Sequence, residues 1–203
     1  SIWGGITGGL LGFVVLGPIG ALVGSVIGSN ISSRSKRRRP NNFDQQVAFF
    51  AALFACLAKI AKADGRVDEA EIKKIEEIIS SKLNLNKEHR NFAINIFQKA
   101  KDDNVDFEAY ASNLYQVLSS SPNSLLVFYE MLFELALADG ILHPNEDALL
   151  KKIPTIFRFD EKIYKSLYEK FVNKTTDYLK ILGVNENATF NEIKKAYLKK
   201  RKE

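Results

Sequence analysis

The chain of 203 residues is 46% hydrophobic and 26% charged, a composition that supports a folded core and excludes a disordered chain. Its single cysteine, Cys56, excludes an internal disulfide and a cysteine-based zinc site, and the apolar run around it predicts a buried structural thiol. The two histidines, His89 and His143, are too far apart in sequence to form a metal-binding pair on one helix.

The net charge of +5 comes from two short basic blocks, at residues 34–39 and 194–202. The residues between these blocks carry a mildly acidic balance. Because the basic charge is confined to two short segments, the sequence predicts no nucleic-acid partner.

The N-terminal segment 2–31 has no charged side chain and exceeds the ~20 residues that a helix needs to cross a bilayer. It predicts a transmembrane anchor over residues 1–31, kinked at Pro18. The basic linker 32–43 follows the apolar run, whereas a cleaved signal peptide has its positive charges before it. By the positive-inside rule, this order predicts a single-pass protein with a cytoplasmic C-terminal body.

Glycines in the anchor recur at a four-residue spacing, which places small residues along one helix face where a second copy could pack closely in lipid. Glycine repeats of this kind also occur in pore-forming and aggregating segments, so both interpretations stay open. The predicted dimer face consists of Gly4, Gly8, Gly12, Gly20, Gly24 and Gly28.

From Asp44 onward, apolar residues recur at three- and four-residue steps, the period of an amphipathic helix. No strand alternation appears, so the predicted fold class is all-α, with a helical domain over residues 44–171 and a short linker over 172–176.

An internal repeat lies within this domain, because residues 61–71 match residues 136–146 at one constant offset. Each copy predicts a helix that ends at Ala-Asp, a glycine in a left-handed turn and a new helix with a capping box closed by a glutamate. Pro144 stands at the predicted first position of the second of these new helices, where proline suits a helix start.

These two elbows resemble the TerB fold, which implies an all-helical bundle with an internal two-fold repeat. TerB-like domains present acidic clusters for which divalent metal binding has been proposed, and oxygen ligands suit Ca²⁺ or Mg²⁺. Helix capping explains the same acids without a metal, and His143 replaces an oxygen ligand in the second copy, so capping is the favoured interpretation and no other cofactor is predicted. The candidate ligands are Asp64, Asp68, Glu71, Asp139 and Glu146.

The pattern of the C-terminal segment 177–203 predicts a short apolar helix that ends at Gly183 and a second helix with a Thr189–Glu192 capping box. It resembles the first half of a J-domain, the module with which DnaJ-type co-chaperones engage DnaK-type chaperone ATPases. The resemblance implies a basic DnaK-binding face, for which a solvated helix surface is the alternative explanation. The implied DnaK-binding residues are Lys194, Lys195, Tyr197 and Lys199.

Two residues depart from the J-domain pattern: Leu198 stands where a basic residue is usual, and Lys200 where an apolar one is usual. The His-Pro-Asp motif of J-domains does not occur in the sequence, so we expect this chain as given to be inactive in triggering ATP hydrolysis. We also expect the segment 177–203 to be loosely ordered or to rest on the helical body.

In order, a glycine-rich span, a basic linker, a TerB-like domain and the start of a J-domain resemble the DjlA-like family of membrane-anchored DnaJ co-chaperones. The resemblance implies a bacterial inner-membrane protein whose partner is a DnaK-type ATPase. The alternative is a membrane-tethered TerB-like stress-response sensor or scaffold. The sequence shows no nucleophile–base pair, phosphate-binding loop or zinc spacing, so we do not expect an enzyme.

Overall fold

The computed structural model of the chain describes residues 15–27, 41–63, 65, 69–138, 140–173, 179–185 and 188–200. Within these ranges the structure is helical and contains no strand, which confirms the predicted all-α fold class.

Besides a short helical stretch over residues 179–182, the described part of the molecule contains ten α-helices. They are α1 (Pro18–Ile27), α2 (Asn42–Ala61), α3 (Glu69–Lys82), α4 (Lys87–Asp102), α5 (Phe107–Leu118), α6 (Pro122–Ala136), α7 (Pro144–Leu150), α8 (Ile153–Phe157), α9 (Lys162–Tyr168), which continues into a π-helical turn (Glu169–Asn173), and α10 (Phe190–Lys200).

Helix α2 is the centre of the body, and α1, α4, α5, α6 and α7 pack around it. It begins with a capping box in which Asn41 Oδ1 accepts the Asp44 N–H at 2.8 Å and Asp44 Oδ2 accepts the Asn41 N–H at 2.9 Å. Most of its residues are buried, including Cys56, so the predicted structural thiol is confirmed. Burial raises the pKa of this thiol, since a thiolate would lose its hydration there.

Helix α2 is also the one helix within the described ranges that is long and apolar enough to cross a membrane. However, 67% of its most apolar window is buried inside the body, which is the pattern of a core helix in a globular domain.

The described part of the predicted anchor, residues 15–27, does not form one continuous helix. Gly17 has φ +91°, and α1 begins directly after it, with Pro18 at its first position. A proline there costs no hydrogen bond, because the first N–H groups of a helix have no partner within the helix. Helix α1 packs against α2, α4 and α5, and the remaining residues of the predicted anchor lie outside the described ranges.

Candidate functional site

Helix α10 starts with the capping box that the sequence predicts. The Thr189 N–H donates to Glu192 Oε2 at 2.6 Å, and the Thr189 hydroxyl donates to the same oxygen at 2.8 Å. These bonds favour the carboxylate and lower the pKa of Glu192. Thr189 and Glu192 therefore fix the residue at which α10 begins.

The candidate DnaK-binding residues are all exposed on α10. The side chains of Lys194, Lys195 and Lys199 are exposed, and Tyr197 is 54% exposed. Ile193 and Ala196 of the same helix are half-buried, whereas Tyr197 is turned to solvent. The structure thus exposes one aromatic ring and three ammonium groups on this helix.

The turn before α10 is built around Gly183, which has φ +66° and ends the short helical stretch 179–182 as predicted. The Val184 N–H donates to the Leu179 carbonyl at 3.0 Å, a bond typical of a helix that ends at a left-handed glycine. Leu179 is buried in this segment. The side chain of Lys200 remains exposed, and its ammonium group donates to the Ile181 carbonyl.

The two predicted elbows have the same backbone hydrogen bonds. The Gly65 N–H donates to the Lys62 carbonyl at 2.9 Å, and the Gly140 N–H donates to the Leu137 carbonyl at 2.8 Å. Both glycines have positive φ, +85° and +91°, a region that L side chains rarely adopt. The predicted left-handed turns are confirmed in both copies, and α7 begins at Pro144 as expected.

Of the five candidate metal ligands, the structure describes the side chain of one, Glu146. Its Oε2 accepts the His143 N–H at 2.9 Å, so it occupies the capping position that the repeat predicts. Within the described ranges, no group of three or more His, Cys, Asp or Glu side chains could hold a metal ion. Three candidates and the side chain of a fourth lie outside the description; they are Asp64, Asp68, Asp139 and Glu71.

The structure describes two glycines of the predicted dimer face, Gly20 and Gly24, and both are half-buried in α1. A Cβ atom added to Gly20 would lie 1.8 Å from the Val15 carbonyl oxygen, so the fold of the chain itself requires glycine at this position. Gly4, Gly8, Gly12 and Gly28 lie outside the described residues, and dimerisation through this face stays a prediction.

Sequence reasoning missed Asn113, which is buried on the inner face of α5. Its Oδ1 accepts the Ile19 N–H at 2.9 Å, and its Nδ2 donates to the Leu16 carbonyl at 2.9 Å. The signal that could have found it is a lone asparagine on an otherwise apolar helix face, because buried polar side chains need hydrogen-bond partners.

Comparisons with known proteins agree with this architecture. Residues 50–168 match the family described as tellurite resistance protein TerB. Residues 1–38 match the family described as the co-chaperone DjlA transmembrane domain, which indicates a membrane-anchored protein. No experimentally solved structure matches the chain.

Curated relatives match over most of the chain. A co-chaperone protein DjlA of Photobacterium profundum is 30% identical, with 100% of this chain and 86% of the relative covered. That of Coxiella burnetii is 30% identical, with 96% of this chain and 82% of the relative covered. The DjlA of Escherichia coli K12 is 30% identical, with 73% of this chain and 56% of the relative covered. The chain therefore belongs to the DjlA family of co-chaperones.

Proposed function

We propose that this protein is a membrane-anchored co-chaperone that recruits a DnaK-type chaperone ATPase to the inner membrane, and that stimulation of ATP hydrolysis requires a His-Pro-Asp motif, which the given sequence lacks. The observation that carries the proposal is the solvent-exposed basic face of α10, formed by Lys194, Lys195 and Lys199 on a capped helix. Membership of the DjlA family implies a chaperone partner in general, and the resemblance of the C-terminal segment to a J-domain supports a DnaK-type partner.

The chemistry of this face suits an acidic protein surface. Lys195 and Lys199 are four residues apart and therefore lie on the same side of the helix, with Lys194 adjacent. Lysine ammonium groups in water act over about one Debye length, so they accelerate encounter with an acidic partner and lose this effect as salt rises. The role assigned to the chain is binding and recruitment rather than catalysis.

The proposed topology is a single membrane pass with the body in the cytoplasm, where ATP is available to the partner. The basic block 34–39 supports this orientation, because Lys and Arg beside an apolar segment are retained on the cytoplasmic side. Recruitment would then hold the chaperone close to the inner face of the membrane.

A charge-reversal series tests the proposal. The protein, reconstituted in nanodiscs, carries Lys194→Glu, Lys195→Glu and Lys199→Glu together, and its binding to DnaK is measured as a function of its concentration. We expect the half-maximal concentration to rise about tenfold or more at low salt, since losing each attraction costs on the order of 1 kcal/mol in the complex. The difference should shrink as the salt concentration increases.

The matched control reverses the same number of charges on the helical body. Lys73, Lys87 and Lys165 are exposed on α3, α4 and α9, and their triple change to glutamate alters the net charge equally. This control should retain the wild-type half-maximal concentration. If the half-maximal concentration rises equally in the two triple variants, net charge alone explains the effect. That result would contradict a specific binding face on α10.

A further inference from the structure

An uncharged groove lies on the body at the end where helix α2 begins. It has a volume of about 480 Å³ and is formed by the first turns of α2, the last residue of α5 and part of α6. None of its ten lining residues carries a charged side chain. The apolar lining residues are Phe49, Phe50, Leu118, Val127 and Met131.

The groove presents apolar side chains that the body does not cover. Val127 is 49% exposed, and no other large apolar side chain within the described part of α2–α9 is exposed. Phe49, Phe50 and Met131 beside it are half-buried. The adjoining sequence is uncharged as well, because residues 109–129, which include the turn between α5 and α6, contain no charged side chain. Clustered apolar groups of this kind mark contacts with other proteins or with membranes.

We propose that this groove lies against the lipid bilayer that holds the anchor, with its apolar side chains in the interfacial layer below the headgroups. The occupant of the groove is therefore the membrane surface rather than another protein. The contact sets how the helical body is oriented on the bilayer, and it is independent of the proposed chaperone partner.

The covalent connection to the anchor provides the first argument. Residues 39–41 separate α2 from the segment 1–38, which matches the transmembrane domain of the family. Each residue spans at most about 3.6 Å, so the start of α2 lies within about 15 Å of that segment. The groove runs along residues 42–50 of α2, a length of about 12 Å. The chain thus holds this end of the body beside the bilayer.

Charge provides the second argument. The basic block at residues 34–39 is attracted to anionic headgroups, which would repel a groove lined with carboxylates. The two acids nearest to the groove in sequence are already paired. Asp44 is buried in the capping box with Asn41, and Glu130 lies 3.4 Å from Lys170. The groove can therefore approach an anionic membrane without an electrostatic penalty.

Tethering provides the third argument. Because the anchor keeps the body at the membrane, contact between groove and lipid is intramolecular, with an effective concentration on the order of millimolar. A small apolar surface is then sufficient, as it is for interfacial helices that insert phenylalanine and leucine below the headgroups. A free peptide would lose translational and rotational freedom for the same small area. A second copy meets the groove only when two anchors associate, whereas the bilayer lies beside every copy.

Fluorescence quenching by spin-labelled lipid tests the contact in the protein reconstituted in nanodiscs, with one protein in each disc. An environment-sensitive fluorophore is attached to Val127→Cys in the groove or to Lys62→Cys; the buried Cys56 stays unlabelled in the native protein. Lys62 is exposed at the other end of α2 and, at about 3.6 residues per turn, lies on the face opposite the groove. We expect a lipid with its spin label near the headgroup to quench the label at position 127 at least about threefold more strongly than the label at position 62.

Two other results would overturn the membrane contact. Equal quenching at the two positions would show that the groove has no preference for lipid. Blue-shifted emission at position 127 without quenching by lipid would show that protein covers the groove. Discs that hold two copies then identify the occupant, because a shift that appears only in those discs assigns the groove to a second copy.

A pair of charge variants tests whether the groove itself makes the contact. The fluorophore is placed on Asn123→Cys, which also lines the groove. Val127→Glu adds a carboxylate beside the lipid, whereas Asn95→Glu adds the same charge at an exposed position of α4, a helix that does not line the groove. We expect Val127→Glu to lower quenching by spin-labelled lipid several-fold and Asn95→Glu to leave it unchanged. Equal quenching in the two variants would contradict insertion of the groove into the bilayer.

Discussion

The Asp103 carboxylate accepts hydrogen bonds from helix α2, from the loop before α5 and from α5 itself. Lys59 Nζ of α2 donates to Asp103 Oδ1 at 2.7 Å, and the Val105 N–H donates to the same oxygen at 2.9 Å. The other oxygen accepts the hydroxyl of Tyr110 on α5. The Lys59 side chain is 11% exposed, so this charge is partly withdrawn from water and its pairing matters more than that of a surface ion pair.

Alkaline pH tests this arrangement through Tyr110. Burial, together with the hydrogen bond to Asp103, raises the pKa of Tyr110 above its ordinary value of 10.0. Above that pH the unfolded chain releases the phenolic proton while the folded chain keeps it, so the free energy of unfolding falls as pH rises. The loss approaches about 1.4 kcal/mol per pH unit for each such tyrosine. Below pH 10.0 this contribution is fully present and constant.

Chemical denaturation between neutral pH and pH 11 provides the measurement. Tyr110→Phe should be less stable than the wild type at neutral pH by about 1–2 kcal/mol, because Asp103 loses a donor, and should lose stability less steeply above pH 10.0. Tyr197→Phe removes an exposed ring hydroxyl and should keep the wild-type slope. A Tyr110→Phe slope identical to that of the wild type would contradict the assignment.

At the scale of elements, helix boundaries are where the sequence predicts the structure best. The capping box at Thr189 and Glu192, the left-handed Gly65 and Gly140 and the start of α7 at Pro144 all follow from interactions within a few residues. Such features depend on local backbone geometry, so a single sequence contains what is needed to place them. For the proposed DnaK-binding face of α10, the structure bears only on the exposure of the side chains, because the identity of a partner has no local signature in the sequence.

The Glu192 cap predicts how α10 responds to acid. Since hydrogen bonds from Thr189 lower the pKa of Glu192, the carboxylate stabilises the helix above the ordinary value of 4.5, and this contribution is lost as pH falls below it. Hydrogen exchange should show faster opening of the first turn of α10 at acidic pH, after correction for the intrinsic exchange rate. The Ile193 N–H, which donates to the Thr189 carbonyl at 3.0 Å, is the amide to follow.

Glu192→Gln separates the cap from a general effect of acid. Glutamine still accepts the Thr189 N–H in a capping box but does not titrate, so protection of Ile193 should become independent of pH in this range. Glu77→Gln, an exposed change on α3, should leave the acid response of α10 intact. An acid response that survives in Glu192→Gln would show that another group controls the helix start.

At the scale of the whole molecule, the sequence does not distinguish an apolar helix for lipid from one for a protein core. Helix α2 passes a length and composition test for a membrane span and yet is the central core helix. The segment containing α1 reads as a continuous uncharged run, and its packing on α5 depends on Asn113, which is far away in sequence. Tertiary contacts of this kind have no local signature, which is why the position of α1 could not be predicted.

Orientation in the membrane is a further property of the whole molecule that the sequence predicts, from the basic block at residues 34–39. Fusions of a reporter to the C-terminus should be fluorescent with GFP and inactive with periplasmic alkaline phosphatase, because five basic residues follow the apolar segment. Changing these five residues to glutamine should lower the fluorescent fraction and raise phosphatase activity. The residues are Arg34, Lys36, Arg37, Arg38 and Arg39.

A matched control tests whether membrane orientation depends on the basic residues beside the apolar segment or on the total charge of the protein. The five lysines Lys73, Lys87, Lys162, Lys165 and Lys180, all exposed and distant in sequence from the apolar segment, are changed to glutamine in the control fusion. Because orientation depends on Lys and Arg within about 15–20 residues of a span, this control should keep the wild-type ratio of the two reporters. If phosphatase activity is already high in the wild-type fusion, the body lies outside the cytoplasm and cannot meet an ATP-dependent partner.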